Sequence, residues 1–302
     1  MSPAPGTTVE IDGRQLSLSN LDKVLYPEAG FTKGEVIDYY ARIAPVMLTH
    51  LANRCVTFKR FPNGVDKSSF FEKRCPGHRP EWVRTAIGPG DRGGRTKAEP
   101  VPPEDGASGI DYCVLDDVAA MVWAANLAAL ELHTPMARAG DIGHPTMVVF
   151  DLDPGEPAGM RECAEVALLL RDSLAPLDLE LFPKTSGSKG MQVYLPINPP
   201  KHADAGDDAD RPDRPDHDHA RSFALAVAQM MEKHHPTLVL TAMKKSERVG
   251  KVFIDWSQNA HFKTTICAYS LRARPQPTVS TPVSWDEVAA AADGSPLSFE
   301  AA

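Results

Sequence analysis

The feature that most constrains this chain is Met147–Glu156, MVVFDLDPGE, where four apolar residues run directly into two carboxylates before Pro154 and Gly155 break the pattern. Met147, Val148, Val149 and Phe150 have the length and character of a buried strand. Residues two apart on a strand point to the same side, so Asp151 and Asp153 share a face, roughly 6–7 Å apart. Like charges held that close call for an offsetting cation, and hard oxygen ligands suit magnesium or manganese. The pair reads as half of a divalent-metal site; the plainer alternative is a solvated strand end. A third acid in a similar context, Asp255 after Val252-Phe253-Ile254, favours the metal.

The chain is long enough to bury a sizeable core as one large domain or two small ones. No stretch approaches the roughly 18 continuous apolar residues of a membrane span, and the opening MSPAPGTTVE lacks the regions of a signal peptide. A soluble intracellular protein is expected, with no membrane partner. Its five cysteines, Cys55, Cys75, Cys113, Cys163 and Cys267, are odd in number and include no C-x-x-C pair, so reduced, mostly buried thiols are expected. Cys75 and His78 have the spacing of half a zinc site, but no second half follows.

A net charge of −8 argues at first against an anionic partner. Much of it lies in Lys201–Ala220, which holds seven Asp against one Lys and two Arg and has no apolar period. That segment reads as an acidic, flexible insertion. Binding of nucleic acid then depends on whether the basic groups cluster elsewhere.

Along the chain, Thr8–Leu18 reads as a hairpin about Asp12-Gly13. Thr32 and Glu35 form a capping box ahead of a helix reaching about Leu51. Lys33 then sits at a helix N-terminus, where a cation is disfavoured unless an anion joins it, so Asn20, Lys23 and Lys33 mark a possible phosphate pocket. Cys55–Phe61 and Ser68–Lys73 read as strands, carrying Lys59, Arg60 and the adjacent rings Phe70 and Phe71. One of those rings is expected on a cleft wall, suited to stacking a base, unless both pack in the core. Gly88–Ser108 reads as a long surface loop, and Ile110–Leu115 as a strand. Asp116 or Asp117 caps a central helix, Val118–Leu132, that places His133 at its C-terminus.

Met160–Leu174 reads as an amphipathic helix, and Leu179–Lys184 and Met191–Ile197 as strands flanking Thr185-Ser186-Gly187-Ser188-Lys189-Gly190. That loop offers amides, hydroxyls and a charge to polyphosphate oxygens but lacks the Walker A spacing. A helix over Ala220–His234 and a strand at Leu238–Thr241 follow. Lys244, Lys245, Arg248 and Lys251 cluster just before the strand that delivers Asp255, and Lys263, Arg272 and Arg274 come after it. Ser284 and Glu287 cap a last helix through Ala292. Three acids near strand ends, a Ser/Lys/Gly loop and basic clusters together point to two-metal phosphoryl or nucleotidyl transfer.

The ordered set DKVLYP, FKRFPNG, FFEK, LELH, VFDLDPGE, TSGSKG, GKVFIDWSQN and TTICAYSLR closely resembles the polymerase domain of bacterial ligase D, in the archaeo-eukaryotic primase superfamily, over about Leu16–Glu287. The resemblance implies an α/β (α+β) primase fold, an RRM-like antiparallel sheet with flanking helices joined to an N-terminal module. The expected division is 1–115 and 116–295, together one structural unit. Asp151, Asp153 and Asp255 would be the catalytic ligands of two Mn²⁺ or Mg²⁺ ions. Lys59, His133, Ser186, Ser188, Lys189, Arg248 and Arg272 would meet a nucleoside triphosphate. Asn20, Lys23 and Lys33 would hold a DNA 5′-phosphate, and Phe70 or Phe71 would stack on the template. The implied activity is nucleotide addition, ribonucleotides preferred, at gaps or double-strand breaks. A separate ATP-dependent DNA ligase and an end-binding protein are the implied partners, in the nucleoid-associated cytoplasm of a bacterium. With no ligase or phosphoesterase segment in the sequence, a stand-alone relative is expected.

Two departures stand out. Gln192 occupies a position where the family usually has histidine; it can hydrogen-bond but cannot carry charge. The acidic insertion is the other. Among rival readings, a haloacid-dehalogenase-type phosphatase also begins on D-x-D but usually has Thr or Val where Gly155 stands, and it leaves the basic clusters unexplained. A non-catalytic DNA-end-bridging module predicts salt-sensitive, metal-independent end binding and leaves the carboxylates unused.

Overall fold

The computed structural model describes residues 7–90, 109–198 and 214–301. The chain forms two compact units, Met1–Thr134 with Ile266–Ser280 and Phe299–Ala302, and Pro135–Thr265 with Thr281–Ser298. The elements between residue 115 and Thr134 therefore fold with those that precede them.

In the first unit the opening hairpin pairs Thr7–Ile11 with Arg14–Leu18. Asp12 and Gly13 both take positive φ, 49° and 74°, the twist that a two-residue hairpin turn needs. Helix α1 (Lys33–Leu51) begins at the expected capping box, with both reciprocal Thr32 and Glu35 bonds made. Its buried residues Val36, Ile37, Tyr40, Ala44, Met47 and Leu51 form a stripe that packs with α2 (Val118–Asn126), capped by Asp117. Every residue from Ala119 to Ala125 is buried, as the all-round apolar sequence requires.

Helix α2 stops well short of Leu132. Ala128 turns left-handed at φ 56°, and Ala129–Thr134 becomes a strand paired with Thr57–Arg60, inside a sheet ordered Thr265–Ile266, Ala129–Thr134, Thr57–Arg60, Phe70–Glu72. His133 is thus mid-strand and not at a helix C-terminus, which corrects the reading of 118–132 as one helix. Tertiary pairing overrides the helical propensity of an Ala/Leu-rich run. The cysteine expectation also fails in part, because Cys75 and Cys113 form a disulfide with Cα atoms 4.8 Å apart. The Cys75 N–H donates to the Asp111 carbonyl at 2.7 Å, which draws the two chains together. Cys55, Cys163 and Cys267 are buried and form no disulfide among the described residues.

The second unit is built on a sheet ordered Phe182–Thr185, Met191–Pro196, Met147–Pro154, Val252–Asp255, Val239–Leu240, antiparallel except for its last pair. Helices α3 (Met160–Leu174) and α4 (His217–His234) both pack against the central strand, and α5 (Trp285–Ala292) packs on α3. Phe150 meets Phe223 of α4 edge-on, and the Cys163 thiol of α3 points at the Leu152 carbonyl. Val148, Phe150, Leu152 and Pro154 are all buried on that face, which leaves Asp151 and Asp153 on the other. The strand runs through both acids as far as Pro154, so the two carboxylates lie on one face near its end as expected.

Helix α4 begins at His217, capped by Asp216, three residues before the expected start. The tail of the acidic segment is therefore helical; 201–213 lies outside the described residues. The expected surface loop begins only after a strand, Thr85–Pro89, and its 91–108 portion also lies outside them. Among the described residues no helix is long and apolar enough to cross a membrane.

Beyond Asp255 the ladder is continued by a side chain. Val149 N–H donates to Asn259 Oδ1 at 2.8 Å, and Asn259 Nδ2 donates to the Val149 carbonyl at 2.8 Å and to the Trp256 carbonyl at 3.0 Å. One buried amide thus completes both backbone groups of the strand residue two before Asp151.

Candidate active site

The acids are brought together by strand register. Asp151 lies directly opposite Asp255 on one side and Gln192 on the other, and Gln192 lies opposite Lys184. Directly opposed residues share a face. Lys184, Gln192, Asp151 and Asp255 therefore form a row across four strands, with Asp153 one step along the same face. Burial is the largest influence on Asp151 and pushes its carboxyl up; a hydrogen bond from Gln192 opposes this, the Asp255 and Asp153 charges add to it, and the result is about 6.

Each carboxylate is held by protein donors. Asp151 Oδ1 accepts from Gln192 Nε2 at 3.0 Å, and Gln192 Oε1 accepts from the Tyr194 hydroxyl at 2.8 Å. Asp153 Oδ2 accepts from Arg248 Nη1 at 2.9 Å. Asp255 accepts from Ser257 N–H and Oγ at 3.0 and 2.6 Å and from Gln258 Nε2 at 3.2 Å. In these orientations no three His, Cys, Asp or Glu side chains converge to hold a metal ion among the described residues. The donor set is nonetheless the hard-oxygen type that Mg²⁺ and Mn²⁺ take, with three carboxylates on one face and a guanidinium neutralising one of them.

Two glycines allow the neighbouring loops to close on this strand. A Cβ at Gly190 would lie 2.2 Å from the Leu152 carbonyl oxygen, and one at Gly155 would lie 2.0 Å from that of Arg248. The Ser/Lys/Gly loop and the basic cluster are thereby held beside the acids. Within the loop, Ser186 Oγ accepts from the N–H groups of Ser188 and Gly190, both at 3.2 Å. Those two amides, expected to face phosphate, are turned inward, while Lys189 is exposed. Arg248 is fixed by stacking on Phe253 at 3.7 Å and by donating Nη2 to the Met243 carbonyl at 2.9 Å.

The first unit gathers the other candidates into two groups. Lys59, His133 and Arg272 surround Glu131, with Lys59 Nζ also 5.2 Å from the Phe61 ring and 5.5 Å from the Phe71 ring. Phe70 and Phe71 are both exposed, at 45% and 60%, because their strand is the sheet edge. The second group is Asn20, Lys23 and Lys33. Lys23 N–H donates to the Asn20 carbonyl and Lys33 N–H to that of Lys23, at 3.1 and 2.8 Å. Lys33 is buried and donates Nζ to the Ser19 carbonyl at 2.7 Å. Burial first, then the charges of Lys23 and Arg60, lower its pKa to about 8. The first amides of α1 bond to Lys23 O, Leu21 O and Thr32 Oγ1, so the helix end has already spent these donors within the protein.

Several residues escaped the sequence reading. Lys184 and Tyr194 join the site only through register and hydrogen bonding. Gln258 carried no signal apart from its place as the next-to-last residue of GKVFIDWSQN. Glu131, within LELH, would have been legible had that run been taken as an alternating strand with Glu131 and His133 on one face.

These arrangements can be compared with known proteins. The family model described as LigD, primase-polymerase domain, matches residues 32–302. The Multifunctional non-homologous end joining DNA repair protein LigD of Mycobacterium tuberculosis H37Rv is 42% identical over 283 residues, covering 91% of this chain and 34% of that protein. The Bifunctional non-homologous end joining protein LigD of Bacillus subtilis is 28% identical over 274 residues, covering 91% of this chain and 39% of that protein. The chain thus spans a little over a third of the length of these relatives. A solved structure, the polymerase domain from Mycobacterium tuberculosis ligase D in complex with DNA, aligns with TM-score 0.79 at 40% identity, over 95% of this chain and 91% of that one. The archaeo-eukaryotic primase fold read from the sequence is the fold the chain adopts. On sequence and structure together, the chain belongs to the LigD primase-polymerase domain family.

Proposed function

We propose that this protein is a DNA-directed nucleotidyltransferase that adds nucleotides, ribonucleotides in preference, at gaps and broken ends during end joining. The observation that carries the reading is the placement of Asp151, Asp153 and Asp255 on one sheet face, with Asp151 and Asp255 directly paired. Asp151, Asp153 and Asp255 would hold two divalent cations, Mn²⁺ or Mg²⁺, whose chemistry when bound is to activate the attacking hydroxyl and stabilise the leaving pyrophosphate. Gln192, oriented by Tyr194, keeps Asp151 turned along the row. Arg248, Ser186, Ser188 and Lys189 stand around the acids as the groups to bind and orient a triphosphate, and Lys59, His133 and Arg272 serve as further nucleotide contacts. Phe70 and Phe71 are the candidates to stack on a template base. A separate ATP-dependent ligase and an end-binding protein would complete repair. The test is extension of a primer across a short gap, comparing ribo- and deoxyribonucleotides with Mn²⁺ and Mg²⁺. Metal-dependent addition favouring ribonucleotides is expected; end binding without synthesis would replace this reading with a bridging module.

The Asn20, Lys23 and Lys33 group is proposed to hold the 5′-phosphate at the far side of the gap. Lys23→Ala with Lys33→Ala should weaken binding to gapped DNA only when that phosphate is present; equal loss without it would refute the assignment. The lowered pKa of Lys33 adds a second expectation. At pH 8 the lysine is about half protonated, and an arriving phosphate raises its pKa, so binding takes up protons, by linkage up to about half a proton per complex. Calorimetry at pH 8 in buffers of different ionisation heat measures this uptake, which should vanish for Lys33→Ala.

A further inference from the structure

Glu131 is 2% exposed and sits mid-strand between Leu130 and Leu132, which belong to the hydrophobic core. Only donors converge on its carboxylate. Oε2 lies 3.0 Å from His133 Nε2 and 3.7 Å from Lys59 Nζ, while Oε1 accepts from Ala273 N–H at 3.0 Å and lies 3.4 Å from Arg272 Nε. An ionised carboxylate is the one side chain of this shape that offers acceptors at both oxygens. Despite burial, its largest single influence, the bond from His133 and the Arg272 charge hold Glu131 well below the ordinary carboxylate range, at about 2. The cluster is not a closed ion pair, since one carboxylate faces the permanent charges of both Lys59 and Arg272. Their side chains, with that of His133, are 26%, 21% and 13% exposed against 3% for Glu131, so the surplus positive charge lies on the outer members.

This geometry sets the state of His133. Because Glu131 can only accept, the imidazole proton must be on Nε2. Burial pushes the imidazole pKa down against the raising pull of Glu131, so the ring is neutral near pH 7 and Nδ1 carries a lone pair. Nδ1 makes no hydrogen bond among the described residues, and the ring is flanked by Phe71 at 5.7 Å.

We propose that Glu131 is a positioning residue for nucleotide binding: it fixes the Nε2–H tautomer of His133, so that Nδ1 is presented as an acceptor to a hydroxyl of the nucleotide sugar. This rests on the reading of Lys59, His133 and Arg272 as nucleotide contacts. A phosphate oxygen, itself only an acceptor, does not suit Nδ1, and a sugar hydroxyl is the donor that all four nucleotides share. Lys59 and Arg272, spread around the same carboxylate, are left to meet the anionic part.

Glutamine at 131 supplies one acceptor and one donor where four donors converge, so either His133 must reverse its tautomer or Ala273 N–H loses its partner. The experiment compares parent, Glu131→Gln, Glu131→Asp, His133→Ala and Glu131→Gln/His133→Ala in the full chain. It measures ATP binding with Mn²⁺ by calorimetry, KM and kcat for ATP in gap filling, and the imidazole ¹⁵N resonances. Glu131→Gln should raise KM and Kd for ATP about tenfold with kcat within about twofold, and should add nothing further in the His133→Ala background. Glu131→Asp should recover part of the loss. In the parent, the His133 proton should be found on Nε2. Independent, additive losses in the double variant, or a parent proton on Nδ1, would overturn the positioning role while leaving the nucleotide site standing. Unchanged ATP binding in His133→Ala would instead refute the nucleotide reading of the whole cluster, and the role of Glu131 with it. The parent resonances decide the tautomer even if the glutamine variant does not fold.

Discussion

Replacing Asp151 with asparagine is expected to cut metal-dependent nucleotide addition by about 10³-fold or more, roughly 4 kcal/mol of transition-state stabilisation, while leaving the fold as stable as before or slightly more so. The opposed signs follow from the row. Asp151 is pushed up to about 6 because it is buried beside Asp255 and Asp153, so a neutral isostere relieves a native-state penalty. The one hydrogen bond made by its Oδ1, from Gln192 Nε2, survives in the amide. A gain of about 1 kcal/mol or less is the scale expected for removing a like charge from a partly solvated pair. Asp255→Asn should lose activity similarly, since its amide oxygen still accepts from Ser257. Urea denaturation and single-turnover primer extension on the same preparations supply both quantities. Activity within tenfold of the parent would remove these acids from the chemistry, and a loss of several kcal/mol would mean that they serve the fold.

The second large effect is on stability alone. Asn259→Ala should destabilise the protein by about 3–5 kcal/mol, because two backbone groups of Val149 and the Trp256 carbonyl lose their partners in a buried setting, at about 1–3 kcal/mol for each group left unsatisfied. Asn259 is 1% exposed, so water does not replace the amide. Asn259→Asp keeps the acceptor for Val149 N–H but lacks the donor for the two carbonyls, and it buries a charge, so it should be no better than alanine. The shift in denaturation midpoint measures this. A loss below about 1 kcal/mol would show that the strand does not depend on this side-chain extension of its ladder. Because Val149 lies two residues before Asp151 on the same face, the variant should also blunt catalysis at temperatures where it remains folded.

The second unit was the more legible from sequence. Its helix Met160–Leu174 matches the expected bounds, and the Ser284/Glu287 box starts α5 where expected. The D-x-D pair shares a face because a strand's period of two is local and independent of partners. In the first unit the Thr32/Glu35 box was equally plain. The failures share a cause. Ala129–Leu132 looked helical because alanine and leucine favour a helix until a pairing partner, Thr57–Arg60, recruits them. One of Phe70 and Phe71 was expected on a cleft wall unless both packed in the core, yet both are exposed, since an edge strand has little behind it. Glu131 passed unnoticed because LELH was taken as helix, which hid the strand alternation that places Glu131 and His133 on one face.

The sequence by itself determined which segments carry carboxylates, lysines and rings, and which local period or cap shapes each one. Only the tertiary structure decided who faces whom. The row Lys184, Gln192, Asp151, Asp255, the disulfide between Cys75 and Cys113, and the four donors around Glu131 each join segments distant in the chain. Such contacts depend on strand register, where a slip of one residue turns every side chain to the opposite face, and register is settled by how whole strands bury their apolar sides together. No window of neighbouring residues contains that information.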